Sequence, residues 1–342
     1  MTAIAELLSL GLCCPRCKGD LLLVDTQEAA LRCIACAEQY PIILGIPDLR
    51  VFPDPYIGID EDRAKGRLLA AVGARTWGDL AAHYYEITQD DVPAAQARQF
   101  AAGLHAAVPR AAAAIEGWNE LDGERVLATD RLLDVGCGTA PFFVAEGPQS
   151  APRVGVDVAF RWLVVARLRL ENAGVAAHLV CACAEAIPFR DASFDVYVSQ
   201  GAIENVRDQT LAIAESRRVL RSRGRIRVAS ANRTSPAPDP HLGIPFGGLL
   251  PARVAAWWAR SRGALPPSRR LLTHAALRTL LRSAYDHVAL GVPAASPAQQ
   301  RGLGAVLRMA VATYEFMRRG HPLRRTLTVI GPTLLATGRR KD

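Results

Sequence analysis

The sequence predicts an α/β fold: a mostly parallel sheet wound with helices, a small cysteine-held module ahead of it, and a helical insertion late in the chain. Three observations predict it. Leu132-Leu133-Asp134-Val135-Gly136-Cys137-Gly138-Thr139-Ala140-Pro141 is an apolar run ended by an acid, then a glycine turn, then a proline suited to a first helical turn. A second apolar run, Val154-Gly155-Val156, ends in Asp157, nineteen residues after Gly138. Cys14-Pro15-Arg16-Cys17 and Cys33-Ile34-Ala35-Cys36 are two C-x-x-C knuckles with fifteen residues between them.

The knuckles come first along the chain. Their spacing is that of a four-thiolate zinc ribbon, in which Cys14, Cys17, Cys33 and Cys36 supply the sulfurs and a hairpin joins the pairs. Leu21-Leu22-Leu23-Val24 and Leu31-Arg32 supply the hairpin strands. Paired disulfides are the alternative. The stretch before them lacks the basic start and small-residue cleavage site of a secretory signal, so a reducing, cytoplasmic setting and a metal are expected. Four thiolates leave no open coordination position, which makes the expected zinc structural. Cys13 is out of register, and Cys137, Cys181 and Cys183 have no metal spacing.

Phe52-Pro53-Asp54-Pro55 reads as a linker, followed by alanine-rich helices that include Trp77 to Tyr85. The glycine turn comes next. Glycines let backbone approach a ligand, and an acid at the tip of the following strand accepts the hydroxyls of a ribose. The third glycine of a dinucleotide fingerprint is replaced by Pro141, and no Gly-Lys-Ser/Thr phosphate loop follows. A nucleoside other than NAD is therefore expected.

With Asp134 two residues before Gly136, this stretch resembles motif I of the class I S-adenosylmethionine-dependent methyltransferases. The resemblance is closest to the ubiquinone/menaquinone-biosynthesis type and covers about residues 120 to 235. It continues through Ala184-Glu185-Ala186-Ile187-Pro188-Phe189, the strand Phe194 to Val198, Gly201 to Val206, and Arg225 to Ser230. It implies a seven-stranded Rossmann-like methyltransferase sheet. It also implies that Asp134 and the loop Gly136, Cys137 and Gly138 hold the amino-acid end of the cofactor, and that Asp157 with Val158 holds its ribose. Ala184, Glu185 and Gln200 complete the implied cofactor set. Cys183 stands where the family carries an aspartate to the adenine, which leaves that contact to Ala184 and Glu185. Asn205 stands where it carries a histidine. The N-terminal part, with Tyr40 to Leu49, resembles small zinc-ribbon-like activators of RNA and protein methyltransferases.

The domain boundaries that follow are a zinc-ribbon-like module at 1–55, a helical linker and cofactor lid at 56–125, and the S-adenosylmethionine-binding core at 126–235. A substrate-side helical insertion occupies 236–320 and a terminal strand pair 321–342. In the insertion, the proline-dense loop after the fifth strand carries His241, whose ordinary pKa suits a general base. Glu204 and His241 are the candidate substrate-side catalytic residues. Leu249 to Arg262, with Trp257-Trp258, is expected as a lid packed on the core, with a helix lying on a membrane surface as the alternative. Gln299 to Arg319 reads as an amphipathic helix. Thr326 to Ile330 and Thr333 to Thr337, split by Gly331-Pro332, read as the closing strands.

Composition narrows the function. Half of the 342 residues are hydrophobic, yet no apolar run is long enough to span a bilayer. The net charge of +8 rests almost wholly on arginine, because Lys18, Lys65 and Lys341 are the only lysines. Together with the alanine excess this points to a GC-rich genome, and the arginine runs read as solvated helix faces without interleaved exposed aromatics. A small-molecule methyl acceptor is the leading expectation. An RNA acceptor is the second, since a family of rRNA guanine methyltransferases also joins a zinc module to this core. A non-catalytic adaptor that docks a partner through the ribbon is the third.

Overall fold

The computed structural model describes residues 2–25, 29–88, 94–239, 241–295 and 305–342. A short helix, α1 (Thr2–Ser9), leads into a four-stranded antiparallel sheet in the order β1 (Leu21–Asp25), β2 (Ala29–Cys33), β3 (Gln39–Ile43), β4 (Ile46–Pro47). The hairpin expected between the knuckles is β1–β2, with Leu21 opposite Cys33.

Helices α2 (Ile59–Ala71), α3 (Trp77–Ile87), α4 (Ala94–His105) and α5 (Ala107–Asp122) carry the chain to the core sheet. There β5 (Leu132–Val135), α6 (Pro141–Glu146), β6 (Arg153–Asp157), α7 (Phe160–Ala173), β7 (His178–Cys181), β8 (Phe194–Gln200), α8 (Gln209–Val219) and β9 (Leu220–Ala231) alternate. β5 to β9 run parallel, as the continuous apolar runs and intervening helices require. The strand order is β10-β11-β9-β8-β5-β6-β7, where β10 is Tyr285–Gly291 and β11 is Thr333–Arg340. Local chemistry sets several ends. Asp208 caps α8 by accepting from the Thr210 and Leu211 amides, Pro141 opens α6, and left-handed Gly174 closes α7. Trp118 of α5 is fully buried and donates its Nε1–H to the Val228 carbonyl at 3.2 Å, fixing that helix to the sheet.

The seven-stranded sheet matches the expectation from the sequence, and its last strand, β11, runs antiparallel to β9. The closing strand pair does not match that expectation. After α9 (Ala252–Ser261) and α10 (His274–Arg282), Thr326 to Ile330 belongs to a helix, α12 (His321–Ile330), packed beside α11 (Ala305–Arg319), and only β11 is a strand. Pro322 at the first turn starts that helix, and burying Leu327 and Thr328 overrides the β-branched propensity of the segment. β11 lies between β9 and β10, and β10 falls inside the region expected to be all helix. The amphipathic helix expected from Gln299 is described from Ala305 onward; its first residues lie outside the described set.

The module is joined to the core rather than tethered to it. Its apolar residues Leu7, Leu31, Tyr40 and Leu49 share one buried cluster with Val154, Val180 and Phe189. Asp48 pairs in parallel with Cys181, and the Leu49 N–H donates to the Cys181 carbonyl at 2.7 Å. The chain leaving β4 thereby covers the edge strand β7, which would otherwise present unpaired backbone.

Candidate cofactor and metal sites

The glycine turn sits at the carboxyl end of β5, in the middle of the sheet, where doubly wound sheets form their ligand crevice. The Gly136 N–H donates to the Val156 carbonyl at 2.7 Å and the Cys137 N–H donates to it at 3.1 Å, tying the turn to the next strand. Gly136 has φ +77°, and a Cβ there would stand 2.1 Å from that of Ala202, so only glycine fits. The Gly138 N–H donates to Asp157 Oδ2 at 2.8 Å, and the Ala159 N–H donates to Oδ1 at 2.8 Å. The acid expected to hold a ribose thus also braces the glycine loop.

Two buried acceptors on the neighbouring strands β5 and β8 have no hydrogen-bond partner: Asp134 Oδ1, and Gln200 Oε1 at the end of β8. Burial, reinforced by the Asp157 and Glu146 charges, holds the Asp134 carboxyl well above its ordinary range. Burial likewise pushes Asp157 up to about 6, against the opposing pull of the Ala159 and Gly138 amides. An orphaned buried carboxylate oxygen wants a donor, and an ammonium group supplies one. The amino-acid end and ribose of S-adenosylmethionine fit this set: a cationic donor for Asp134, hydroxyls for the remaining lone pairs of Asp157, and a polar group for Gln200.

The other expected cofactor residues divide. The Val158 carbonyl lies behind the ribose acid and accepts from Arg50 Nη1 at 3.0 Å. The Cys137 thiol turns into the core toward Gly155, so that residue meets a ligand only through its backbone. Ala184 is half-buried, and Cys183 reaches the Phe52 carbonyl at 3.5 Å. Glu185 is buried, and its Oε1 accepts from the Arg207 and Asp208 amides at 2.6 and 3.2 Å, so it anchors the turn after β8.

The two candidate catalytic groups are placed differently from a free acid and base. Both Glu204 oxygens are taken, Oε1 by the Ala231 N–H and Oε2 by the Ser230 hydroxyl, each at 3.1 Å. It ties the ends of β8 and β9 together. The His241 ring lies edge-on to Phe100 of α4, with centroids 5.9 Å apart. Burial and the nearby Arg269 guanidinium push its imidazole down to about 4, so it is neutral near pH 7. Tyr84, in the helix expected as part of the cofactor lid, is core: it is buried, its ring centroid lies 4.6 Å from that of Trp162, and its hydroxyl accepts a hydrogen bond from Arg161.

Sequence reasoning missed a buried ion-pair network behind the ribose acid. Arg50 donates to Asp48 at 2.6 and 2.8 Å and to Asp62 at 2.7 Å, with all three side chains fully buried. Asp62 also accepts from Arg161 Nη1 at 2.8 Å and from the Phe160 and Arg161 amides at 2.7 and 3.3 Å. It therefore caps α7 from another helix. The only signal in the sequence is Asp60-Glu61-Asp62 in the first turn of α2, which reads as ordinary helix-dipole complementation.

At the other end, the sulfurs of Cys14, Cys17, Cys33 and Cys36 lie within 4.8 Å of one another, and no disulfide joins them. The close pairs, Cys14–Cys36 at 3.7 Å and Cys17–Cys33 at 3.4 Å, are near the ~3.8 Å edge of a tetrahedron with zinc–sulfur bonds of about 2.3 Å. They are far beyond the ~2.05 Å of a disulfide. The Tyr40 hydroxyl lies 3.2 Å from Cys14 Sγ, in the position of an outer donor to a thiolate.

The fold and the glycine-turn site together define an α/β domain that binds a nucleoside cofactor at the centre of its sheet. The comparisons narrow this. Residues 133–228 match the methyltransferase domain family. A ubiquinone/menaquinone biosynthesis C-methyltransferase UbiE from Xylella fastidiosa is 32% identical over 186 residues, covering 50% of this chain and 73% of that enzyme. The enzyme of the same name from Dinoroseobacter shibae is 38% identical over 120 residues, 34% of this chain and 46% of that one. The chain thus spans less than half the length of one of these relatives. Among solved structures, the Haloferax volcanii complex of the Trm112 methyltransferase activator with a methyltransferase aligns at TM-score 0.47 and 19% identity, over 75% of this chain and 98% of that one. This chain belongs to the class I S-adenosylmethionine-dependent methyltransferases.

Proposed function

We propose that this protein transfers the methyl group of S-adenosylmethionine to an oxygen, nitrogen or carbon of a small molecule. The observation that carries the reading is Asp157, which accepts from the Gly138 N–H, together with the unpartnered buried Asp134 Oδ1. When bound, the cofactor's sulfonium supplies an electrophilic methyl group. The chain's own work is then to hold and orient. Asp134 takes the ammonium end, Asp157 the ribose, and the carboxyl ends of β8 and β9 present the acceptor in line with the methyl carbon. The C-methyltransferase names of the relatives support a small metabolite as acceptor.

His241 enters this reading as a neutral contact on the acceptor side, where it accepts a hydrogen bond rather than removing a proton. With Glu204 committed to the sheet, the chemistry favours an acceptor that is already nucleophilic, such as an amine or an ionised hydroxyl. The zinc belongs to the same proposal: Cys14, Cys17, Cys33 and Cys36 would hold it, and it would contribute folding energy to the module.

Calorimetric titration of the purified chain with S-adenosylmethionine, followed by a tritiated-methyl screen of metabolite extracts, tests the reading. Micromolar cofactor binding with label appearing in a small molecule supports it. Loss of neither affinity nor turnover in Asp157→Ala would remove the site assignment.

A further inference from the structure

Charge is strongly segregated along this chain. Residues 1–239 hold 25 lysines and arginines against 30 acids, and residues 240–342 hold 16 against 3. No Asp or Glu occurs between Pro240 and Tyr285. The whole positive excess therefore lies in the insertion and the closing elements.

The same region exposes large apolar side chains. Helix α9 (Ala252–Ser261) turns Ala255 and Ala259 inward. It also packs Trp258, whose Nε1–H donates to the Leu242 carbonyl at 3.2 Å. Trp257 faces out and is 64% exposed, while Trp258 packs in a small cluster with Leu242, Ala255 and Ala259 that is separate from the core of the sheet. At i−4, i−3 and i+3 spacing, Arg253, Val254 and Arg260 are the neighbours of Trp257 on the helix surface. All three are exposed, and among the described residues no ion pair engages either arginine.

The apolar exposure extends beyond one helix. Phe246 and Leu249, just before α9, are exposed, as are Val329 and Ile330 at the end of α12. Both groups flank one loop, Asn232 to Ser235. Thr234 donates to the Val329 carbonyl at 2.5 Å, and a Cβ on Gly248 would stand 2.7 Å from the Arg233 carbonyl. That loop leaves the carboxyl end of β9, so the patch borders the acceptor side of the crevice. The arginine faces therefore do have exposed aromatics beside them, contrary to the expectation from the sequence.

We propose that this face docks the protein on an anionic lipid bilayer. Arginines unpaired by acids meet lipid phosphates, while Trp257, Phe246 and the aliphatic side chains enter the boundary between headgroups and acyl chains. A second copy of the chain is disfavoured, because the excess positive charge of two such faces repels. RNA fits less well: Leu249, Val254, Val329 and Ile330 gain nothing by stacking on bases, whereas hydrocarbon takes them out of water.

The test is co-sedimentation of the full chain with large unilamellar vesicles of phosphatidylcholine, with and without phosphatidylglycerol. Filter binding to a single-stranded RNA oligonucleotide runs alongside. Binding is expected only to vesicles containing phosphatidylglycerol. It should weaken at least about tenfold in the Arg253→Glu/Arg260→Glu double variant, at roughly 1 kcal/mol per basic residue near the surface. It should weaken several-fold in Trp257→Ser and remain unchanged in Ile34→Glu, an exposed site on the cysteine module. Absence of binding to the anionic vesicles, equal binding by the double variant, or tighter RNA binding lost in the same variants would each overturn the proposal. Vesicle binding requires neither cofactor nor turnover, so its failure is distinguishable from failure of the methyltransferase reading.

Discussion

Replacing Asp62 with alanine tests whether the buried network positions the cofactor loop. Asp62 is fully inaccessible and takes four hydrogen bonds: from Arg50 Nη1, Arg161 Nη1 and the amides of Phe160 and Arg161. Truncation strips a carboxylate from two buried guanidiniums. Arg50 keeps Asp48, while Arg161 keeps Asp54 at 3.6 Å and the Tyr84 hydroxyl. The cost therefore falls at the lower end of the roughly 3–5 kcal/mol for breaking a buried pair. Two orphaned amides in the first turn of α7 add about 1 kcal/mol or more each. A net loss of about 4 kcal/mol is a large share of a typical stability of ~5–15 kcal/mol. At about 2–4 °C per kcal/mol, the melting temperature should fall by roughly 10 °C. Thermal and urea unfolding of Asp62→Ala and Asp62→Asn read this, with Asn losing less because its amide oxygen still accepts. Calorimetry on the Asn variant should show weaker cofactor binding, because α7 begins two residues after Val158. A melting temperature within about 2 °C of the parent for the Ala variant, outside the range that scale allows, would refute the reasoning.

Three further predictions follow from the same sites. Asp157 titrates near 6 in the folded chain against an ordinary 3.8, so the folded state binds its proton first; stability from this group rises as pH falls from about 6 to 4 and is absent above. Asp157→Asn should therefore stabilise the free chain at pH 7.5, by at most about 3 kcal/mol, while weakening cofactor binding and flattening its decline below pH 6; a destabilised variant with parental affinity would contradict both halves. Gly136→Ala should abolish cofactor binding and lower the melting temperature, because its methyl group would collide with Ala202; an unchanged calorimetric titration would show that the loop shifts freely. Metal analysis should find about one zinc per chain, and Cys33→Ser or chelation should lower the melting temperature and cofactor affinity together; affinity unaffected by metal removal would uncouple the module from the crevice.

The parts of this molecule legible in the sequence share one property: their chemistry is local in the chain. The glycine turn, the acid ending β6 and the two knuckles each lie within a short window, and periodicity or spacing exposes them. What escaped is built from residues far apart. Asp62 caps a helix that begins 98 residues later, and nothing in its own helix distinguishes it from a solvated first-turn acid. Glu204 is a candidate substrate-side residue by sequence, in a segment that resembles a family motif, yet β9 supplies both of its donors. The Thr326 to Ile330 segment failed for a related reason. Its β-branched composition suits a strand, but the edge position beside β11 was already filled by β10, leaving burial of Leu327 in a helix as the way to cover the sheet.

The cysteine module and the cofactor loop are mechanically continuous, and this bears on why the module is part of the chain. From β4 the backbone passes directly to Asp48, Leu49 and Arg50. Leu49 hydrogen-bonds the edge strand next to β6, while Arg50 reaches the carbonyl of Val158, adjacent to Asp157. In the proposed role Asp157 stays buried and charged to hold a ribose, and burial, which pushes its carboxyl up, makes that state costly. The fully buried Asp48–Arg50–Asp62 arrangement offsets none of that cost by itself, since buried pairs roughly break even against apolar packing. What it supplies is geometry: one guanidinium joins the module, α2 and the turn after β6 in a single arrangement. On the proposed function, the module's contribution to cofactor binding is therefore expected as pre-organisation of that turn rather than as added stability.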